Sequence, residues 1–253
     1  MARAGLLVSE TLALVGEGIR VGATTEELDR IAERHIRAHG GTPTFKGYRG
    51  YPASICASPN DMVVHGIPGP YTLKAGDILS VDIGVTLSGF VADCAYTFAV
   101  GAISPEAQRL LDVCQQALVA GVEQCRPGNR LSDIGHAVQA VTEAAGFGVI
   151  RTLVGHGVGR SMHEDPQIPN YGDAGRGAVL ADGMVFAIEP MITAGGHEVV
   201  LHDDEWSISS EDGSLAAHFE HTVAITAAGP RILTQHPQPT HARPVVASAA
   251  RAG

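Results

Sequence analysis

The sequence predicts an α+β fold built from two copies of a helix–helix–strand–strand unit, whose strands form a pseudo-two-fold antiparallel sheet. Three observations point to it. Helix-periodic segments occur in two pairs, a Gly-punctuated, β-rich stretch follows each pair, and the two stretches echo one another.

Residues 4–19 and 24–39 read as the first helical pair. In the second helix Thr24 or Thr25 can cap the start. Glu26 and Glu27 fill the first turn, where unpaired backbone N–H groups favour anions. Leu28, Ile31, His35 and Ile36 keep helical spacing, and Gly40-Gly41 ends the segment. Residues 105–123 and 131–146 form the second pair. Ser104 opens it, with Pro105 at the first helical position, where a missing N–H costs nothing. The echo is carried by LKAGDILSVD (73–82) and LADGMVFAIE (180–189). Each begins on Leu, has Gly fourth and ends on an acid. A second, looser echo sets DCAYTFAVG (93–101) against EHTVAITAAG (220–229). Two such halves would build one sheet, with the acids converging near a pseudo-symmetry axis. The domain is read as 1–235; from His236 to Gly253 the chain lacks periodicity and reads as a disordered tail.

Composition narrows the function classes. A chain of 253 residues, 45% hydrophobic, can bury one sizeable core. A net charge of −10 argues against nucleic acid or an anionic membrane as partner. Cys56, Cys94, Cys114 and Cys125 form no C-x-x-C pair. They read as reduced thiols of a cytoplasmic protein rather than a structural zinc site or a disulfide scaffold. No apolar run approaches the roughly 20 residues of a membrane span. The segment MARAGLLVSETLALV lacks a signal-peptide cleavage site and reads as helix.

Carboxylates in strands are the strongest chemical signal. Asp82 lies in ILSVDIGV and Asp93 in FVADCAYTF, with the turn signal VTLSG between them. A hairpin loop centred between Leu87 and Ser88 would set Asp82 directly opposite Asp93, with Cβ atoms about 5 Å apart. Two such acids in an apolar sheet repel each other and need a proton, a basic partner or a cation. Glu189 at the end of MVFAIE and Glu220 in AAHFEHTVAIT repeat the oddity. Four strand acids near one axis make a hard oxygen cage, suited to Mn(II), Fe(II), Co(II) or Mg(II); one added imidazole suits it to two ions.

Most of the twelve histidines must be incidental; His35, His136 and His197 have no obvious partner. His65 in VVHGIPGP, His156 between glycines in VGHGVGR and His163 in SMHEDP stand out. The spacing of the last two is not the helical H-E-x-x-H motif, and the surrounding glycines exclude a helix.

Taken together, GYRGYPASICASPNDMVVHGIPG, SVDIGVTLSGFVADCAYTF, VGHGVGRSMHEDPQIPNYG, GMVFAIEPM and FEHTVAIT resemble type I methionine aminopeptidases, in order from about residue 5 to 234. The resemblance implies the pita-bread fold with a central dimetal site. It implies that Asp82, Asp93, His156, Glu189 and Glu220 are ligands of two divalent ions, Co, Mn, Fe(II), Zn or Ni being admissible. Asp93 and Glu220 would bridge the ions. His65 and His163 would contact substrate and stabilise the transition state. Glu189 would also shuttle a proton, as a third catalytic residue. Tyr48, Tyr51, Cys56 and Trp206 would line a methionine pocket. Met162 stands where the family carries a pocket aromatic, and Phe45 where a smaller residue is expected. The first helix is expected to begin partway through that of the family, without a zinc-finger extension. The implied activity is removal of N-terminal methionine ahead of a small second residue. Its partners would be nascent polypeptide N-termini at the ribosome, and the enzyme a cytoplasmic monomer. Prolidases share the fold but usually add an N-terminal domain; a binding module without catalysis would have lost ligands that are all present here.

Overall fold

The computed structural model describes residues 1–235; the tail reading falls outside the described residues. Helices α1 (Ala2–Gly18), α2 (Thr25–Ala38), α3 (Pro105–Glu123) and α4 (Leu131–Ala144) lie where the periodicity puts them. The first-half strands are β1 (Thr42–Pro43), β2 (Cys56–Pro59), β3 (Met62–Val64), β4 (Ile78–Leu87) and β5 (Phe90–Ala99). The second half supplies β6 (Gly148–Val149), β7 (Gly155–Gly157), β8 (Glu164–Ile168), β9 (Val185–Ile188) and β10 (Met191–Thr193). After these come β11 (Val199–Leu201), β12 (Ile208–Ser210), β13 (Ala216–His218), β14 (His221–Thr226) and β15 (Gly229–Ile232).

The cap of α2 is Thr24. Its Oγ1 accepts from Glu27 N at 3.2 Å, and Glu27 Oε2 accepts from Thr24 N at 3.1 Å. Thr25 instead donates to Gly69 O at 3.1 Å. Ser104 Oγ accepts from Ala107 N at 3.0 Å ahead of α3.

The first echo is a structural repeat. Leu73 exchanges hydrogen bonds with Gly22 and Ala23, and Leu180 does the same with Gly128 and Asn129. The fourth-position glycines, Gly76 (φ 96°) and Gly183 (φ 90°), both turn the chain in the left-handed region that side chains avoid.

The hairpin corrects the expected register. Leu87 pairs with Phe90, so the turn is Ser88-Gly89, with φ 54° and 76°. Two positive φ angles make a tight hairpin turn that must contain the glycine, which a turn at Leu87-Ser88 would not. Asp82 therefore faces Ala95 and Asp93 faces Gly84. The two acids are diagonal neighbours on one face rather than directly opposed, still within reach of each other.

The two halves do not continue as a single ladder. Strands β1, β4, β2 and β5 form a four-stranded sheet, and β15-β14-β9-β7-β8 a five-stranded one. Between them β5 and β14 meet at a seam with a backbone bond from Glu220 N to Ala95 O at 2.9 Å. Two threonines stitch this seam reciprocally. Thr222 Oγ1 accepts from Asp93 N (2.9 Å) and donates to Asp93 O (2.8 Å). Thr97 Oγ1 accepts from His218 N (2.9 Å) and donates to His218 O (2.8 Å). The seam thus twins Asp93 with His218, which moves the second echo two residues from the sequence alignment of Asp93 with Glu220.

Helices cover one face. Leu12, Leu28 and Ile36 pack against Leu79 and Ile83 in the first half; Leu110 and Ile134 pack with Ile188 and Val223 in the second. Fully burying each such side chain contributes about 1.5–3 kcal/mol. Along β4 the alternation that turns Leu79, Val81 and Ile83 to the helices turns Ser80 and Asp82 to the opposite face.

Candidate metal centre

Five elements deliver the five expected ligand side chains to the seam. Asp82 comes from β4, Asp93 from β5, His156 from β7, and Glu189 and Glu220 directly follow β9 and precede β14. Ligand atoms of Asp93, His156 and Glu220 all lie within 4.8 Å of one another. His156 Nε2 is 3.9 Å from Asp93 Oδ2 and 3.5 Å from Glu189 Oε1, and the Asp82 carboxyl is close enough to raise that of Asp93 by charge repulsion. The glycines around His156 serve backbone approach. A Cβ on Gly155 would lie 2.5 Å from Ala187 O, and one on Gly157 2.3 Å from Asp165 O. His156 Nδ1 is 2.9 Å from Gly157 O, which fixes the ring and leaves Nε2 to the acids.

The electrostatics of this cluster are unfavourable without a counter-charge. Burial pushes Asp82 up to about 7. Burial first, and neighbouring acids second, hold Asp93, Glu189 and Glu220 well above the carboxylate range. Asp82 Oδ1, Asp93 Oδ1 and Glu220 Oε1 are buried with no hydrogen-bond partner. Burial also lowers His156 and His65. Orphaned carboxylate oxygens beside a neutral imidazole are the donor set a divalent cation fits.

His163 and His65 stand beside the acids. The His163 ring is 4.3 Å from that of His156, and Tyr48 Oη and His163 Nδ1 share a 2.8 Å hydrogen bond. Burial, then the neighbouring charges of His156, Arg49 and His65, lower His163 to about 4. His65 is held at φ 60°, a left-handed conformation costly for a non-glycine residue.

An apolar cluster adjoins them. Tyr51, Cys56 and Met162 are buried in it with Phe45, and Tyr48 and Trp206 pack against it half-buried. Tyr51 Oη donates to Ile55 O and Gly66 O, both at 3.0 Å, and its ring meets Trp206 edge-on at 5.0 Å. Cys56 pairs with Asp82 across β2 and β4, and burial raises its thiol. Phe45 fits because Gly84 has no side chain: a Cβ there would lie 2.7 Å from the Phe45 ring.

Several contributors were not read from the sequence. Asp29 Oδ1 accepts from Ser54 N and Ile55 N, holding the approach to Cys56. Asn170 Nδ2 donates to Glu189 O at 2.9 Å. His218 is buried with its Nε2 3.7 Å from Glu189 Oε2. Strand alternation could have found it, since it lies two residues before Glu220.

Known proteins resemble the whole of this arrangement. Residues 1–227 match metallopeptidase family M24. Methionine aminopeptidase of Clostridium perfringens is 52% identical over 92% of this chain and 94% of its own. The crystal structure of methionine aminopeptidase from Thermotoga maritima superposes with a TM-score of 0.92 at 43% identity, covering 93% of this chain and 95% of that one. That from Rickettsia prowazekii gives 0.91 at 40% identity, over 92% and 95%. With its pita-bread fold and a buried group of side chains able to hold a metal ion, the chain belongs to metallopeptidase family M24 and, within it, to the methionine aminopeptidases.

Proposed function

We propose that this chain removes methionine from the N-termini of polypeptides, using divalent ions held by Asp82, Asp93, His156, Glu189 and Glu220. The observation that carries the reading is the group of buried, partnerless carboxylate oxygens around His156, set beside an apolar pocket. The donor set of four carboxylates and one imidazole suits two ions, with Mn(II), Fe(II), Co(II), Zn(II) or Ni(II) all admissible. Bound there, such ions supply a water of lowered pKa as nucleophile and a Lewis acid for the scissile carbonyl.

The chain's own groups do the rest. Tyr51, Cys56, Met162 and Trp206 enclose the methionine side chain; Met162 is apolar and adaptable enough to meet a thioether. Pocket size sorts side chains by about 1–3 kcal/mol per methylene. His163 is neutral near pH 7, with Tyr48 against its Nδ1, so it offers a ring nitrogen to the substrate carbonyl without bringing a net charge. His65 lies across Trp206 and serves the leaving amine. Glu189 moves the proton between nucleophile and leaving group. A small second residue is favoured, on the strength of the likeness to methionine aminopeptidases.

The substrates proposed are nascent chains in the cytoplasm, met at the ribosome by a monomeric enzyme. Among the described residues no helix is long and apolar enough to cross a membrane. The test compares hydrolysis of Met-Ala-Ser and Leu-Ala-Ser by chelator-stripped protein, with and without Mn(II) or Co(II). Metal-dependent release of Met and little Leu is expected; equal release of both, or none with any ion, refutes the reading.

A further inference from the structure

His218 is a buried imidazole at the site that the proposed chemistry leaves without a task. It is 2% exposed, and its Nε2 has no hydrogen-bond partner. The nearest acid is Glu189, whose Oε2 lies 3.7 Å from His218 Nε2 while its Oε1 lies 3.5 Å from His156 Nε2. The Glu189 carboxylate therefore sits between two imidazoles, one to each oxygen.

The backbone shows that this placement is built. Strand β14 pairs with β9 in the register His221↔Ile188, and β13 pairs with β10 in the register Met191↔His218. The register is the same on both sides of the break, which puts His218 one diagonal step from Glu189. Thr97 holds both backbone groups of His218 as Thr222 holds both of Asp93. His218 thus occupies the seat that the pseudo-two-fold gives to an acid in the first half. Unlike that acid, it lies outside the mutually close group of Asp93, His156 and Glu220. Its acidic contact within 4 Å, among the described residues, is the Glu189 carboxylate.

We propose that His218 is a positioning residue that donates its Nε2–H to Glu189 Oε2 and leaves Oε1 as the oxygen offered to metal. This rests on the metallopeptidase reading above. A charge-assisted bond needs the pair to close by about 0.8 Å, within the range of small side-chain rotations. With one oxygen tied, Glu189 has a single orientation, which is how outer partners of metal ligands raise affinity.

The experiment uses the full chain stripped of metal and titrated with Co(II), followed by calorimetry and by visible absorption. His218→Leu removes the donor; His218→Gln retains one of similar reach. The Leu variant is expected to bind Co(II) roughly 10–100-fold more weakly with an altered spectrum, and to lose kcat on Met-Ala-Ser more than KM. The Gln variant is expected to stay within a few-fold of wild type in both. A Leu variant equal to wild type in affinity and spectrum overturns the proposal. So does a Gln variant as impaired as Leu while melting normally without metal. Should the Leu variant not fold, His218→Asn, whose amide is too short to reach Glu189, takes its place with the same expectations. Wild-type protein that binds no Co(II), or binds it and leaves Met-Ala-Ser intact, defeats the metallopeptidase reading itself.

Discussion

Replacing Asp82 by Asn should stabilise the metal-free protein at neutral pH while weakening its response to metal. Asp82 is half-buried in the acid cluster, with its Oδ1 sealed from solvent, and is raised from 3.8 to about 7. A carboxyl with that displacement has its charged form disfavoured in the fold by roughly 4 kcal/mol. The sign follows from linkage. Between these two pH values the folded state holds a proton that the unfolded chain releases, so stability falls as pH rises from about 4 to about 7. Solvent relaxation and the coupling to Asp93 reduce the figure, and about 2–4 kcal/mol is a working range. For a domain of this size each kcal/mol moves Tm by about 2–4 °C. Calorimetry of chelator-treated protein should therefore find Asp82→Asn melting several degrees above wild type at pH 7.5, with the gap closing at pH 4.5. With Co(II) at a hundred times its Kd the wild type gains about 2.7 kcal/mol and the variant less, which narrows the gap. A metal-free variant that melts at or below wild type at pH 7.5 would show that the cluster is not strained by its own charge.

Asp93→Ala should lose bound metal and turnover of Met-Ala-Ser together; measured metal content with retained activity would contradict the ligand assignment. Tyr48→Phe removes the hydroxyl bonded to His163 at 2.8 Å and should lower kcat/KM about 2–10-fold at unchanged metal content. His163→Ala should keep its metal yet slow turnover about a hundredfold, and metal loss on dialysis would make it a ligand instead. Gly84→Ala drives a Cβ to 2.7 Å from Phe45 and should cost about 1–3 kcal/mol in denaturant melts, with Phe45→Ala restoring part of it.

The sequence was most informative where local chemistry decides structure. Thr24, Ser104 and Pro105 mark helix starts because their side chains or ring suit the first turn, and that holds in any surroundings. The Leu73 and Leu180 echo was legible because the same turn needs the same glycine. The strand acids stood out because ionised groups are rare in apolar runs. What escaped were features set by pairing across distance. The hairpin register depended on which residues take positive φ, and the choice of Ser88-Gly89 moved Asp93 from facing Asp82 to facing Gly84. The seam between β5 and β14 joins segments far apart in sequence, so the Thr97 and Thr222 bonds leave no local signal. His218 carried a weaker local signal, its place two residues before Glu220, but its neighbour Glu189 comes from a different strand.

The seam also dictates when the molecule can begin to work. Asp82 and Asp93 are made early, but Glu189 and Glu220 come late, Glu220 directly before β14, the first strand of the last hairpin among the described residues. On the proposed ligand set, a growing copy cannot complete the cage until Glu220 has been translated. On that ligand set, a copy interrupted before β14 would lack Glu220 and with it one side of the cage.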